Sequence, residues 1–220
     1  MIPARWPDPL LEVGGTNDAS PRAAVWDGTT VTNLMPGDLR RTNGDAFAIN
    51  NSGQVAGNII EINTTASLWN ISGGGTYLHE QLPVSDGMFA SYAYDINDAG
   101  QVVGTAAGTI GVPSVAWQAG TVTYLPRLGN NYYGFEQARG NNNLGQIVGV
   151  STFAIGNAAI SHAVLWDANR ITDLGTLGGT LSEANEISDS GKSVIPGRLS
   201  GIAKLLVTPQ ATQHSGKVSR

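Results

Sequence analysis

Asp95-Ile-Asn-Asp-Ala-Gly-Gln-Val-Val-Gly104 recurs along the chain in four recognisable copies. An upstream copy reads Ala48-Ile-Asn-Asn-Ser-Gly-Gln-Val-Ala-Gly57, and a downstream copy reads Gly140-Asn-Asn-Asn-Leu-Gly-Gln-Ile-Val-Gly149. A weaker copy follows at Glu186-Ile-Ser-Asp-Ser-Gly-Lys-Ser-Val-Ile195. The glycine that all four share stands at positions 53, 100, 145 and 191, so the period is 45–47 residues. Such a period predicts a repeat architecture, in which each unit buries its core against its neighbours.

One complete repeat predicts four short strands joined by tight turns: Tyr92–Asn97, Gln101–Thr105, Pro113–Trp117 and Thr121–Leu125. The turn Asn97-Asp-Ala-Gly100 is rich in residues that tolerate left-handed dihedral angles. Successive hairpins at this spacing are typical of an antiparallel meander. We therefore interpret Asn50, Asn97 and Asn142 as turn residues rather than as ligands.

Incomplete units flank the three complete repeats. Strand-like segments precede the first complete repeat at Leu10–Gly14, Ala23–Trp26 and Thr30–Leu34. Others follow the last one at Glu183–Ser188, Lys192–Ile195 and Ala203–Val207. Four-stranded units of this length are typical of β-propellers. We expect one all-β propeller domain over residues 1–209, five-bladed, followed by a polar tail at 210–220. A four-bladed ring, closed by strands from both ends, and an open array are the alternatives.

Large apolar residues recur at fixed places in the repeat. We expect Trp26, Trp69, Trp117 and Trp166 to pack between neighbouring units, because an aromatic of this size dominates interface burial. A ligand-stacking platform is the alternative. The unchanging Ala46, Ala93, Ala138 and Ala184 indicate a crowded position. The fourth strand is predicted to end in Leu at 34, 78, 125 and 174.

Composition excludes several classes of function. The net charge is −5 and no basic run occurs, which argues against a nucleic-acid partner. No apolar run approaches the roughly 20 residues of a membrane span, and the chain contains no Cys. The start, Met1 to Pro9, lacks the apolar core of a signal peptide. We expect either a cytoplasmic protein or an exported one whose leader has been removed.

The stretch Ser161-His-Ala-Val-Leu-Trp-Asp-Ala-Asn-Arg-Ile-Thr-Asp-Leu-Gly-Thr-Leu-Gly-Gly179 resembles the HAF-type extracellular repeat proteins of bacteria. These carry Ile-Asn-x-x-Gly-Gln-Val-Val-Gly, His-Ala-x-Leu-Trp and Asp-Leu-Gly-Thr-Leu-Gly-Gly phrases. The resemblance covers roughly Leu10 to Val207 and implies a secreted or periplasmic location, but it implies no particular activity. Only the repeat around His162 keeps the histidine, and Asp-Leu-Gly-Thr-Leu-Gly-Gly occurs once.

Functional candidates lie on the first strand of each repeat, which in a propeller lines the central channel. There the side chains five, six and eight positions before the shared glycine change from repeat to repeat. They place the carboxylates Asp45, Asp95, Glu183 and Glu186 in the channel, with Arg139 and Gln137 among them. Converging carboxylates repel one another unless a cation neutralises them, and Ca²⁺ prefers such oxygen ligands. Carboxylates solvated at the channel mouth, with Arg139 pairing one of them, are the alternative.

Two functions remain open from the sequence. The first is a non-enzymatic binding module for a small ligand or glycan. Its candidate binding residues are Tyr92, Tyr94, Gln137, Arg139 and His162, and its candidate stacking residues are Trp6, Tyr132 and Tyr133.

The second is a calcium-dependent hydrolase of lactones or esters, with Asp95 and Glu186 as catalytic candidates. The metal would polarise the carbonyl, and a carboxylate would act as the general base. For His162, a surface-loop or inter-blade hydrogen bond is favoured over a role as catalytic base.

Overall fold

The computed structural model describes residues 21–35, 43–72, 75–109, 111–129, 134–155, 158–168, 170–176 and 178–194. Every element of regular secondary structure in this part of the chain is a β-strand. In the first half they are β1 Ala24–Trp26, β2 Val31–Asn33, β3 Asn43–Ile49, β4 Val55–Ile60, β5 Thr64–Ile71, β6 Tyr77–Gln81, β7 Met88–Ile96 and β8 Val102–Gly108. In the second half they are β9 Ser114–Gln118, β10 Thr121–Tyr124, β11 Glu136–Asn141, β12 Ile147–Ile155, β13 Ala158–Asp167, β14 Arg170–Asp173, β15 Glu186–Ile187 and β16 Ser193–Val194.

The strands form three four-stranded antiparallel sheets, each from strands consecutive in the chain. We name them sheet 1 (β3–β6), sheet 2 (β7–β10) and sheet 3 (β11–β14). Two two-stranded antiparallel pairs, β1–β2 and β15–β16, flank them. The predicted all-β class and the antiparallel four-stranded repeat are therefore confirmed. In sheet 2, β7 begins at Met88, earlier than the predicted Tyr92.

Each first hairpin turns through a glycine with a positive φ and an asparagine that organises the turn. In sheet 2, Gly100 has φ +74° and its N–H donates to the Asn97 carbonyl. The Asn97 side-chain oxygen also accepts N–H bonds from Ala99 and Gln101. Asn50 and Asn142 accept the corresponding backbone bonds in sheets 1 and 3. The turn interpretation of the three asparagines is confirmed.

The same asparagines also join one repeat to the next. The Asn50 amide donates to the Asn97 carbonyl, at 3.0 Å, and the Asn97 amide donates to the Asn142 carbonyl, at 2.9 Å. The Asn142 amide continues the series to the Ser188 carbonyl, at 3.0 Å. We call this series the asparagine ladder. All three side chains belong to buried residues, so each bond satisfies a donor that would be costly to bury alone.

A second, exposed series runs beside the ladder through the next residue of each turn. Asn51 donates to Asp98, and Asn143 donates to both Asp98 and Asp189. Amide donors and carboxylate acceptors therefore alternate from repeat to repeat. The N–H groups of Asn51 hold the pKa of Asp98 below its ordinary value. Because these groups are exposed, the contribution of each bond to stability is small.

The second glycine of the repeated phrase faces a β-bulge. The register of β3 with β4 shifts between Ala46 and Ala48, and equivalent shifts occur in sheets 2 and 3. A Cβ added to Gly104 would lie 1.8 Å from the Tyr92 carbonyl oxygen. Gly57 and Gly149 meet the same obstruction. Glycine is required there because the bulged backbone occupies the place of a side chain.

The core is divided among the interfaces between consecutive sheets. One cluster joins Leu68 and Leu82 of sheet 1 to Val102 and Trp117 of sheet 2. A second joins Val103 of sheet 2 to residues of sheet 3 that include Trp166. The indole N–H groups of Trp117 and Trp166 donate to the Pro83 and Pro126 carbonyls, each at 2.6 Å. The packing interpretation of the tryptophans is confirmed for these two.

The first copies of the repeated tryptophan and alanine are more exposed than the later copies. Trp69 is buried against Leu34 and Met35, as predicted, but Trp26 is 62% exposed. Ala93, Ala138 and Ala184 are fully buried, whereas Ala46 is exposed. The prediction was wrong for Trp26 and Ala46, which line a surface groove between β1 and β3 rather than a packed interface.

The prediction that the fourth strand of sheet 1 ends at Leu78 was also wrong. Leu78 lies within β6 and is 60% exposed. The residue that corresponds to Leu34, Leu125 and Leu174 is Leu82, which is buried and donates its N–H to the Ala66 carbonyl. The β5–β6 hairpin is longer than its counterparts, so counting from Trp69 selects the wrong leucine.

The segments Leu10–Gly14 and Ala203–Val207 and the polar tail lie outside the described residues. No helix long and apolar enough to cross a bilayer occurs within the described ranges.

We expect Asn97→Ala to lower the free energy of unfolding by about 2–4 kcal/mol, because it deprives a buried carbonyl and two turn amides of their partner. Asn143→Ala, at an exposed position next to the asparagine ladder, should lower the free energy of unfolding by less than about 1 kcal/mol. Urea unfolding followed by tryptophan fluorescence measures both. Equal losses for the two variants would contradict a structural role for the ladder.

Candidate functional site

A cavity of about 310 Å³ is lined by residues from four consecutive repeats. Its walls come from β3, β7, β11 and β15, together with the residue before β15. Of the candidate residues named from the sequence, it brings together Tyr94, Asp95, Arg139 and Glu186. The remaining lining residues are Phe47, Ala48, Asn185 and Ile187. We call this space the central cavity.

The β-bulges determine which side chains reach the central cavity. Phe47, Tyr94 and Arg139 are the residues skipped by the register shifts in sheets 1, 2 and 3. A bulge leaves one residue unpaired and re-aims its side chain. The three repeats place a phenylalanine, a tyrosine and an arginine at this equivalent position.

On the polar side of the central cavity, the guanidinium of Arg139 contacts three neighbouring side chains. Its guanidinium lies 2.7 Å from the Glu183 carboxylate and donates to Asn185 Oδ1 at 2.8 Å. It also donates to Gln137 Oε1 at 2.7 Å, and the Gln137 amide donates to the Tyr94 hydroxyl at 3.2 Å. The structure thus contains the predicted pairing of Arg139 with one of the carboxylates. The planar guanidinium suits this multiple donation.

Two backbone N–H groups hold the carboxylate of Asp95 in place. Its carboxylate accepts N–H bonds from Ile96, at 2.9 Å, and from Asn141 of the next repeat, at 2.8 Å. Burial raises the pKa of Asp95, the two N–H bonds oppose that rise, and the nearby Glu186 charge adds to it. Two of its acceptor sites are therefore occupied, and the others remain for a ligand.

The apolar wall consists of Phe47 and Tyr94. Their ring centroids lie 6.4 Å apart in an edge-to-face arrangement. Phe47 is 53% exposed, while burial raises the pKa of Tyr94. The Tyr94 hydroxyl therefore stays protonated and can still donate a hydrogen bond.

Other candidates from the sequence lie elsewhere. Asp45, Tyr92, Gln137 and Glu183 do not line the central cavity, although Gln137 and Glu183 contact Arg139 behind its wall. Trp6, Tyr132 and Tyr133 lie outside the described residues.

His162 lies within β13, away from the central cavity. Its Nδ1 is 2.8 Å from the Asp173 carboxylate, and its ring meets Phe153 edge to face. The bond joins two strands of sheet 3, and is therefore neither the surface-loop bond nor the inter-blade bond expected from the sequence.

Among the described residues, no group of three or more His, Asp and Glu side chains is close enough to hold a metal ion. The calcium site proposed for Asp45, Asp95, Glu183 and Glu186 stays a prediction.

Sequence reasoning did not select Phe47 and Asn185 as site residues. Both stand six positions before the shared glycine, as do Tyr94 and Arg139. That single position therefore marks the cavity in all four repeats. The change of residue type at that position, from Phe to Tyr, Arg and Asn, was the signal that could have identified them.

Glu136 is a buried carboxyl group outside the central cavity. It is only 2% exposed, and neither carboxylate oxygen has a hydrogen-bond partner among the described residues. Burial raises the pKa of Glu136 to about 7, against the weaker opposing effects of Ser151, Arg127 and Thr152. Near neutral pH this carboxyl is therefore protonated in a substantial fraction of molecules.

No protein-family model and no curated protein sequence matches the chain. The HAF-type resemblance consequently stays a prediction.

The buried Glu136 should make the free energy of unfolding depend on pH. Its folded pKa lies above its ordinary value of 4.5, so the folded state binds the extra proton between about pH 4.5 and 7. The contribution to stability is complete below that window and falls as pH rises through it, by up to about 3 kcal/mol. Glu136→Gln should therefore become more stable relative to the parent as pH rises from 4.5 to 8.

Urea unfolding at several pH values measures the difference between the two proteins. Glu61→Gln, at an exposed position, is the control for the chemical change alone. A constant difference between Glu136→Gln and the parent at every pH would contradict a protonated Glu136 in the fold.

Proposed function

We propose that the sheets are blades of a β-propeller and that the central cavity is its axial channel. Four first strands facing one cavity support this arrangement, because strands in a straight stack would not share a space so small. The asparagine ladder supports it too, since each repeat contacts the next through equivalent atoms. Five blades are favoured over four because β15–β16 and β1–β2 form separate sheets rather than one completed blade.

We infer that the protein is a non-catalytic binding module whose central cavity holds a small polar ligand. The observation that carries this proposal is the pairing of an aromatic wall with a hydrogen-bonding wall around about 310 Å³. This volume is at the lower end of the roughly 300–1,000 Å³ of ligand sites. Few, well-placed polar groups on a partly apolar lining are characteristic of such sites.

The ligand best suited to this lining is a neutral saccharide. Phe47 and Tyr94 offer an apolar surface to the C–H face of a sugar ring. Asp95 and Glu186 accept hydrogen bonds from hydroxyl groups, and Asn185 can both donate and accept. Arg139 is already paired with Glu183, so an anionic ligand would have to compete with that carboxylate. A secreted or periplasmic location, suggested by the resemblance, would fit a glycan ligand.

The hydrolase alternative receives less support. It needs a metal or an activated nucleophile beside a general base. Asp95 has the raised pKa that a base requires, but two backbone N–H groups already bind its oxygens. Ester or lactone hydrolysis is therefore the second candidate.

We expect Tyr94→Ala and Asp95→Asn each to weaken binding of the saccharide found on a glycan array by at least about tenfold, the effect of about 1.4 kcal/mol. The first removes the stacking surface, and the second removes a charged acceptor. Isothermal titration calorimetry with the array ligand measures both, and Asp86→Asn, at an exposed site, is the matched control.

Unchanged affinity in both cavity variants would contradict the proposal. Turnover of a lactone or ester that disappears on addition of a chelator would favour the hydrolase instead.

A further inference from the structure

The chain contains three copies of the pattern Asn-x-Ser/Thr, in which x is not proline. They are Asn50-Asn-Ser52, Asn63-Thr-Thr65 and Asn70-Ile-Ser72, and all of them lie in the part of the chain that forms sheet 1. Transferases that attach a glycan to an asparagine nitrogen recognise this pattern. Because so short a pattern is common in proteins, the surroundings of each asparagine in the fold decide which copy a transferase can use.

Asn50 is unsuitable because both hydrogens of its side-chain nitrogen are in use. This nitrogen donates to Gln54 Oε1 at 2.8 Å and to the Asn97 carbonyl at 3.0 Å. A glycan on the nitrogen would replace one of these hydrogens and would break either the turn bond or the bond of the asparagine ladder. Asn50 is also only 8% exposed, which leaves no space for a sugar ring.

Asn70 is unsuitable because it lies within a paired strand. It belongs to β5 and is paired with Leu78 of β6. Its side-chain oxygen accepts a bond from Gln54 Nε2 at 2.6 Å, and its side-chain nitrogen donates to Glu80 Oε2 at 3.3 Å. A transferase could bind this segment only after β5 and β6 had separated.

Asn63, by contrast, ends an exposed three-residue loop. The loop connects Ile60 and Thr64, the last pair of β4 and β5, and all three of its residues are exposed. Its one described backbone bond runs from the Glu61 N–H to the Asn63 carbonyl, at 3.2 Å, and leaves the Asn63 carboxamide turned to solvent. Such a surface loop is the setting in which the pattern functions as an acceptor.

The same loop exposes apolar surface that a glycan would cover. Ile62, next to Asn63, is 100% exposed, and Ile60 is 36% exposed. Full exposure of Ile62 means that no described part of the chain packs over the tip of the loop, so a glycan has room there. Apolar surface in water is unfavourable, and the C–H faces of the first sugar rings would shield it.

We propose that Asn63 is the attachment site of an asparagine-linked glycan on the folded protein. The donor is an oligosaccharide linked to a polyprenyl pyrophosphate. Asn63 Nδ2 forms a bond to the anomeric carbon of the first sugar while the bond from that carbon to the pyrophosphate oxygen breaks. The pyrophosphate leaves with the electron pair, and one Nδ2 proton passes to a carboxylate of the transferase. The proposal requires an exported chain and is independent of the ligand of the central cavity.

The test exposes the purified, folded chain to a bacterial oligosaccharyltransferase and its lipid-linked oligosaccharide. Mass spectrometry of the intact chain counts the glycans, and peptide mapping locates them. We expect a single glycan, at Asn63. Asn63→Gln and Thr65→Ala should each abolish the transfer, whereas Thr65→Ser, which keeps the hydroxyl of the pattern, should retain it. Asn70→Gln, in a second copy of the pattern, is the matched control and should be modified as the parent is.

Circular dichroism checks that each variant is folded, and a peptide acceptor in the same reaction shows that the transferase is active. The proposal is overturned if the peptide is modified and the folded chain is not. It is also overturned if the glycan is found on Asn50 or Asn70, or if Asn63→Gln is modified to the same extent as the parent.

Discussion

In each of the three complete repeats, one asparagine side chain both holds a turn and bonds the next repeat. The rest of the architecture depends on these two interactions. The oxygen of Asn50, Asn97 or Asn142 holds the turn that defines its own hairpin. The nitrogen of the same side chain bonds the backbone of the next repeat. Local geometry and the relation between neighbours are thus coupled through one rigid planar group. Because the donors are buried, a repeat cannot rotate away from its neighbour without leaving a costly unpaired group.

Much of the fold could be predicted because its turns and strands are determined by residues that are close together in the sequence. The positive-φ glycine and the asparagine specify the turn at Asn97–Gly100, and alternation specifies the strands beside it. The buried tryptophans could be predicted because their position recurs. Exposure at Trp26 and Ala46 could not, because a repeat position does not reveal whether a neighbour covers it. Leu78 was misassigned because hairpin length varies without a marker in the sequence.

The site was predicted in part. Placing Asp95, Arg139 and Glu186 together required only that first strands converge, and all three line one cavity. The alternation of the strand does not predict the bulge. Asp45 was therefore selected as a site residue and Phe47, which lines the cavity, was not. The bulge is possible because Gly57 has no side chain: an added Cβ would lie 1.9 Å from the Asp45 carbonyl oxygen, a cross-strand contact that alternation does not encode. The bulged residues differ from repeat to repeat, whereas the alanine before each of them is the same in all three sheets.

The convergence of the first strands can be measured directly as a distance between spin labels. The chain contains no Cys, so Phe47→Cys and Glu186→Cys can be labelled without background, and both positions are exposed. If the repeats surround one axis, electron paramagnetic resonance should give a separation below about 20 Å. A straight stack, with sheets about 10 Å apart, would place these residues about 30 Å apart or more. A distance in that longer range would contradict the common axis and, with it, the central cavity.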